Sequence, residues 1–121
     1  MSDALTEKII SAAIEVHSTL GPGLLESIYE EALCHELGLR GILHEQQVPV
    51  DVHYKQWTIQ GQRLDLLVER EVVVEIKSLQ RLPEVATSQV LSYLKATGLK
   101  RALLINFGER RLVDGIKRIS L

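Results

Sequence analysis

At 121 residues, with 45% hydrophobic and 25% charged side chains, the chain has the size and make-up of one globular domain and leaves no room for a separate recognition domain. Its net charge of −2 does not mark a nucleic-acid binder by bulk charge, and its apolar runs fall far short of the roughly 20 residues of a membrane span. The N-terminus lacks a basic region followed by an apolar block, and the single cysteine, Cys34, cannot form an internal disulfide, so the expectation is a cytoplasmic, membrane-free protein with one domain over residues 1–121.

Leu5, Ile9, Ala13, Val16 and Leu20 recur at helical spacing, and Gly21, Pro22 and Gly23 end that predicted helix. These three residues lack the longer glycine pattern with Lys-Ser/Thr of a phosphate loop, so they read as a connecting turn. A second helix follows, with Leu25, Ile28, Ala32, Leu33 and Leu37 as its apolar stripe and Gly38 as its cap. Cys34 lies within this pattern and is expected to be a packed thiol. Glu26, Tyr29 and Glu30 flank the stripe, which lets Glu26 point along the border between core and surface.

From Ile42 the pattern becomes extended, with Val48, Val50 and Val52 alternating against Pro49, Asp51 and His53; Pro49 suits an edge position or a bulge. Residues 57–60 and 63–68 continue an antiparallel meander that returns through 72–77. Pro83 and Glu84 open a helix with Val85, Val90, Leu91 and Leu94 facing inward and Gly98 at its end, and Gln89 and Tyr93 stand one turn apart on it. The nearly all-apolar residues 102–107 read as a central strand covered on both faces, and 112–119 as a last edge strand with basic residues outward.

Parity decides the register of the hairpin at 63–77. If Glu69, Arg70 and Glu71 form the turn, Val68 faces Val72 and Asp65 faces Glu75, with Leu64, Leu66, Val68, Val72, Val74 and Ile76 on the opposite, apolar face. A two-residue turn scrambles both faces. The odd loop makes two carboxylates cross-strand neighbours about 5 Å apart at Cβ, an arrangement that is destabilising unless a positive charge sits between them. A divalent cation is the obvious charge, and Lys77, on the same face as Glu75, then stands beside it.

An Asp at the end of one strand followed by Glu-x-Lys on the next resembles the PD-(D/E)xK nuclease superfamily. Gly23, Glu26 and Tyr29 carry the spacing that names its GxxExxY branch, and Gln89 and Tyr93 resemble the QxxxY helix motif of several others. The residue before Asp65 is Leu64 where the superfamily's name has proline, a position that carries no ligand atom. The resemblance spans residues from about 20 to 107. It implies an α/β fold with an αβββαβ core, a mixed central sheet flanked by helices, here with an extra N-terminal helix.

The same resemblance implies Mg²⁺ or Mn²⁺ held by Asp65, Glu75 and the Ile76 carbonyl, with Glu26 approaching the metal directly or through water. Lys77 would orient or deprotonate the attacking water in phosphodiester hydrolysis, and Gln89 and Tyr93 would position the substrate. Nucleic acid, DNA or RNA, is the expected partner. Residues 1–60 hold three Lys/Arg against nine Asp/Glu, whereas residues 61–121 hold eleven against seven, so positive charge gathers around the site. So small a chain would also gain from dimerisation when gripping a duplex. The alternative from another class is a nuclease fold that has lost activity and binds nucleic acid or a protein partner, against which stands the joint presence of Asp65, Glu75 and Lys77. None of His17, His35, His44 and His53 forms the i, i+4 pair of a zinc helix, and there is no Gly-x-Ser-x-Gly elbow.

Overall fold

The computed structural model describes residues 3–121, so the first two residues of the expected 1–121 domain lie outside the described residues. Helix α1 runs from Ala4 to Leu20; Asp3 caps it, its Oδ1 accepting from the Thr6 N–H at 2.9 Å. Helix α2 spans Glu26–Leu39. Strands β1 (His44–Tyr54), β2 (Trp57–Val68) and β3 (Val72–Lys77) form an antiparallel meander. Helix α3 (Val85–Thr97) crosses over to β4 (Arg101–Asn106), which pairs parallel to β3, and β5 (Ile116–Ser120) closes the far edge. The sheet order is therefore β1-β2-β3-β4-β5, and the fold is the expected α/β arrangement with its extra N-terminal helix. Among the described residues, no helix is long and apolar enough to cross a membrane.

Two apolar layers hold the sheet between helices. Leu66, Val68, Val72, Val74, Ile76, Leu103 and Ile105 pack against α1 and α2, while Val50, Val73, Ala102, Leu104 and Ile119 pack against α3. Strands β3 and β4 are thus buried on both faces, which explains their almost unbroken apolar sequence. Full burial of one such Val, Leu or Ile stabilises by roughly 1.5–3 kcal/mol.

The hairpin turn follows the parity argument. Val68 pairs with Val72 around a loop in which Glu69 and Arg70 take φ of 52° and 57°. Pro49 lies on β1, an edge strand, as its missing N–H requires.

Four expectations are corrected. Leu64 packs on the α3 side instead of sharing a layer with Leu66 and Val68, because the hairpin kinks at this level: Gln47, across from Asp65, has φ 51°. On α2, Leu25 and Ile28 are exposed, and the helix is rotated so that Tyr29, Leu33, Cys34 and Leu37 face inward. The cause is Tyr29, which stacks on Phe107 with ring centroids 4.6 Å apart. Val85 is exposed at the first residue of α3, before the helix reaches the sheet. Leu112–Gly115 is a 3-10 turn, and the last strand starts only at Ile116; Gly115 lies so close to the Asn106 carbonyl that an added Cβ would come within 2.5 Å of it.

Candidate active site

Regular pairing between β2 and β3 runs from Val68↔Val72 to Leu66↔Val74. Beyond Leu66 two carboxylates take over from the ladder: the Asp65 N–H donates to Glu75 Oε1 at 2.9 Å, and the Ile76 N–H donates to Asp65 Oδ2 at 2.8 Å. Each acid grips the main chain of the strand that carries the other. Sequence parity placed them opposite one another, and the structure adds that they replace backbone hydrogen bonds where the strands part.

Glu75 alternates with Val73 and so lies on the α3 side of the sheet. It is 3% exposed, and its pKa is pushed up to about 8, first by burial and then by the negative charge of Asp65; the Asp65 N–H and Lys77 oppose that shift. The Tyr93 phenol is raised as well, by its own burial and then by Glu75 and Asp65. A Gln89 hydrogen bond opposes this. Of the two residues expected to position substrate, the buried Tyr93 therefore faces the acid pair from α3, and the exposed Gln89 stands beside Tyr93.

Lys77 ends β3 half-buried and, among the described residues, forms no ion pair. Its strand end is firmly held. The Lys77 carbonyl accepts from the Phe107 N–H at 2.8 Å, and the Ser78 hydroxyl donates to the Leu24 carbonyl at 2.6 Å. Asn106, fully buried beside Lys77 in the parallel register, accepts from the Leu79 N–H at 2.9 Å and donates to the Leu79 carbonyl at 2.9 Å. Sequence reasoning missed Asn106, although a lone amide at the end of an otherwise apolar strand was a usable signal.

Glu26 stands exposed in the first turn of α2. The Ser78–Leu24 bond brings the end of β3 against the segment that leads into this helix, and Tyr29 fixes the same segment by donating to the Gly21 carbonyl and accepting from the Leu24 N–H at 3.1 Å. Among the described residues no group of three or more His, Cys, Asp or Glu gathers closely enough to hold a metal ion. The structure thus brings Asp65 and Glu75 together and leaves Glu26 outside that pair. Glu30, one turn later, accepts from the side-chain amides of Gln46 at 3.1 Å and Gln47 at 2.9 Å.

Not all the basic residues of the second half are free for substrate. Arg101 pairs with Asp3 and with Glu71, the latter at 3.0 Å, and Arg118 pairs with Glu7 at 2.7 Å. Arg63 donates to the Gln47 carbonyl at 3.2 Å. Cys34 is buried, and its thiol is raised to about 11, chiefly by burial and then by Glu30 and Glu31, which makes it a packing group.

The donor set suits a hard divalent cation. Asp65 Oδ1 and Glu75 Oε2 take no part in the hydrogen bonds to the main chain, so the pair keeps one oxygen each that the backbone does not use. No curated protein and no solved structure gave a match. The family model described as the PD-(D/E)XK nuclease superfamily matches residues 3–119, and the chain belongs to that superfamily.

Proposed function

We propose that the protein is a metal-dependent nuclease that hydrolyses phosphodiester bonds in nucleic acid, with Mg²⁺ or Mn²⁺ held by Asp65, Glu75 and the Ile76 carbonyl, and with Glu26 supporting it through water. The observation that carries this reading is the reciprocal grip of Asp65 and Glu75 beside Lys77, which among the described residues forms no ion pair. When bound, the cation offsets the charge of the two acids, activates a water and stabilises the developing oxyanion.

The chain's own residues supply the rest. The main-chain N–H groups of Asp65 and Ile76 each hold one oxygen of the two carboxylates and so fix both side chains. Lys77, on the face of Glu75, orients or deprotonates the attacking water, or neutralises the scissile phosphate. Tyr93, facing the acids from α3, and Gln89 beside it position the substrate, while Arg81, Lys95, Lys100 and Lys117 are exposed cations able to meet a phosphate backbone. The spacing of Gly23, Glu26 and Tyr29 supports placing the protein in the GxxExxY branch.

Activity should require Mg²⁺ or Mn²⁺ and should vanish in Lys77→Ala while that variant still binds Mn²⁺ in a calorimetric titration. Single- and double-stranded DNA and RNA are the substrates to compare. An unaltered rate in Lys77→Ala would assign the hydrolysis to another site.

A further inference from the structure

The chain has five aromatic residues: one Trp, three Tyr and one Phe. Tyr29, Tyr93 and Phe107 are buried. The other two, Tyr54 and Trp57, are direct cross-strand partners at the tip of the β1–β2 hairpin, 60% and 72% exposed. Val48 and Val50 of β1 pack toward α3, and past a register irregularity between Val50 and Val52, Val52 lines a cleft shared with Ser92, Lys95 and Ala96 of α3, with Tyr54 two residues further on. The aromatic pair, joined by the 46% exposed Ile59 opposite Val52, therefore continues the α3 side of the sheet, the side on which Glu75 lies. Its apolar face extends beyond the last core residue, Val50, and is exposed. Exposure of a large aromatic pair on a protruding arm is unusual for surface that meets only water.

Charge selects the occupant. Residues 52–64 contain Lys55, Arg63 and His53 and no carboxylate, although the chain as a whole is acidic. Lys55 stands 5.3 Å from the Tyr54 ring centroid. Between the arm and α3 lies a cleft of about 450 Å³ lined by His53, Gln62, Ser92 and Lys95, with Asp51 as its one acid. Flat aromatic faces set among cations, with hydroxyl and amide donors alongside, match unpaired bases on a phosphate backbone.

We propose that Tyr54 and Trp57 form a stacking platform for unpaired bases of the nucleic-acid substrate, which lies along the hairpin toward the acid pair. This deepens the nuclease reading and rests on it for the substrate class. Trp57 and Asp65 are eight positions apart on β2, about 26 Å of strand, so the platform grips substrate several nucleotides from the reacting phosphate. It acts on affinity and leaves the chemical step alone.

Trp57 is the sole tryptophan, so its fluorescence reports the tip alone. The wild-type chain in EDTA and the Lys77→Ala chain in Mg²⁺ would each be titrated with single-stranded oligo-dT and with a blunt duplex. Trp57 emission should be quenched by the single strand and not by the duplex. Trp57→Ala should melt as wild type does yet bind the single strand roughly 5- to 100-fold more weakly, with Trp57→Phe retaining most of the affinity. In turnover, Trp57→Ala should raise KM and spare kcat. Absence of quenching, equal affinity of Trp57→Ala, self-association that Trp57→Ala abolishes, or quenching by phosphatidylserine vesicles in place of oligo-dT would each overturn the platform. Cleavage without quenching would sink the platform and leave the nuclease reading standing, and quenching without cleavage would do the reverse.

Discussion

Glu75→Gln should make the metal-free protein more stable in alkaline solution, and the size of the effect follows from how Glu75 is buried. Its pKa stands at about 8 against an ordinary 4.5, so between those values the folded chain holds a proton that the unfolded chain has released. Stability contributed by that proton is complete below about pH 4.5, falls as pH rises through the window, and is lost above about pH 8. At about 1.4 kcal/mol per pH unit, the whole window is worth on the order of 4–5 kcal/mol as a ceiling. Relaxation around the carboxylate lowers this. The entropy of unfolding for a chain of this length is near 0.25 kcal/mol per degree, so even a third of the ceiling moves Tm by about 5 °C.

Gln keeps an oxygen for the Asp65 N–H and never ionises, so the Tm difference between wild type and variant isolates this one group. Thermal melts in EDTA at pH 5 and pH 9 should show the variant gaining several degrees on wild type at the higher pH. Parallel curves would refute the claim that Glu75 carries the proton. Calorimetry in buffers of different ionisation enthalpy gives an independent reading: at pH 7, Mn²⁺ binding to wild type should release close to one proton, and Glu75→Gln should release none.

Gly108→Ala should lower stability by at least about 3 kcal/mol, because its Cβ would fall 2.2 Å from the Leu79 carbonyl oxygen, a main-chain atom that Asn106 holds in place. Urea melts should show a lower midpoint at unchanged slope, and a wild-type midpoint would refute the close approach. Glu26→Gln should leave the stability within about 0.5 kcal/mol of wild type yet weaken Mn²⁺ affinity roughly 10- to 100-fold, the range for a residue that supports a metal from outside its direct ligands. Equal affinities in a calorimetric titration would make the centre a two-acid one.

The parts of this fold legible from sequence are those that nearest neighbours decide. Placing Asp65 across from Glu75 needed only the apolar alternation of two strands and the parity of one loop, even though Glu69 and Arg70 adopt a backbone conformation that favours glycine. What escaped depends on partners distant in the chain. Tyr29 displaces Ile28 from the interior because Phe107 offers a stacking face and because Gly21 and Leu24 satisfy its hydroxyl. Leu64 changes layers through a kink at Gln47, on the neighbouring strand. Arg101 and Arg118 look like free cations in the sequence, but their acidic partners Asp3 and Glu7 lie near the opposite end of it.

Asn106 and Glu75 are both buried polar residues on central strands, and the difference between them separates scaffold from chemistry. Asn106 uses its oxygen twice, toward the N–H groups of Leu79 and Gly108, and its amide nitrogen once, toward the Leu79 carbonyl. It is a satisfied group that sets the path of the chain after Lys77. Glu75 is held through one oxygen, faces a second carboxylate, and reaches neutrality by retaining a proton far above its ordinary range. Among the described residues no lysine or arginine forms an ion pair with it, although Lys77 is two residues away. A buried acid left in that condition is poorly explained by stability, since replacing it with a neutral residue should strengthen the fold. The nuclease proposed above accounts for it: a cation bound there would bring the missing positive charge at the junction of β2 and β3, where the strand ladder gives way to two carboxylates, and stability would be exchanged for chemistry.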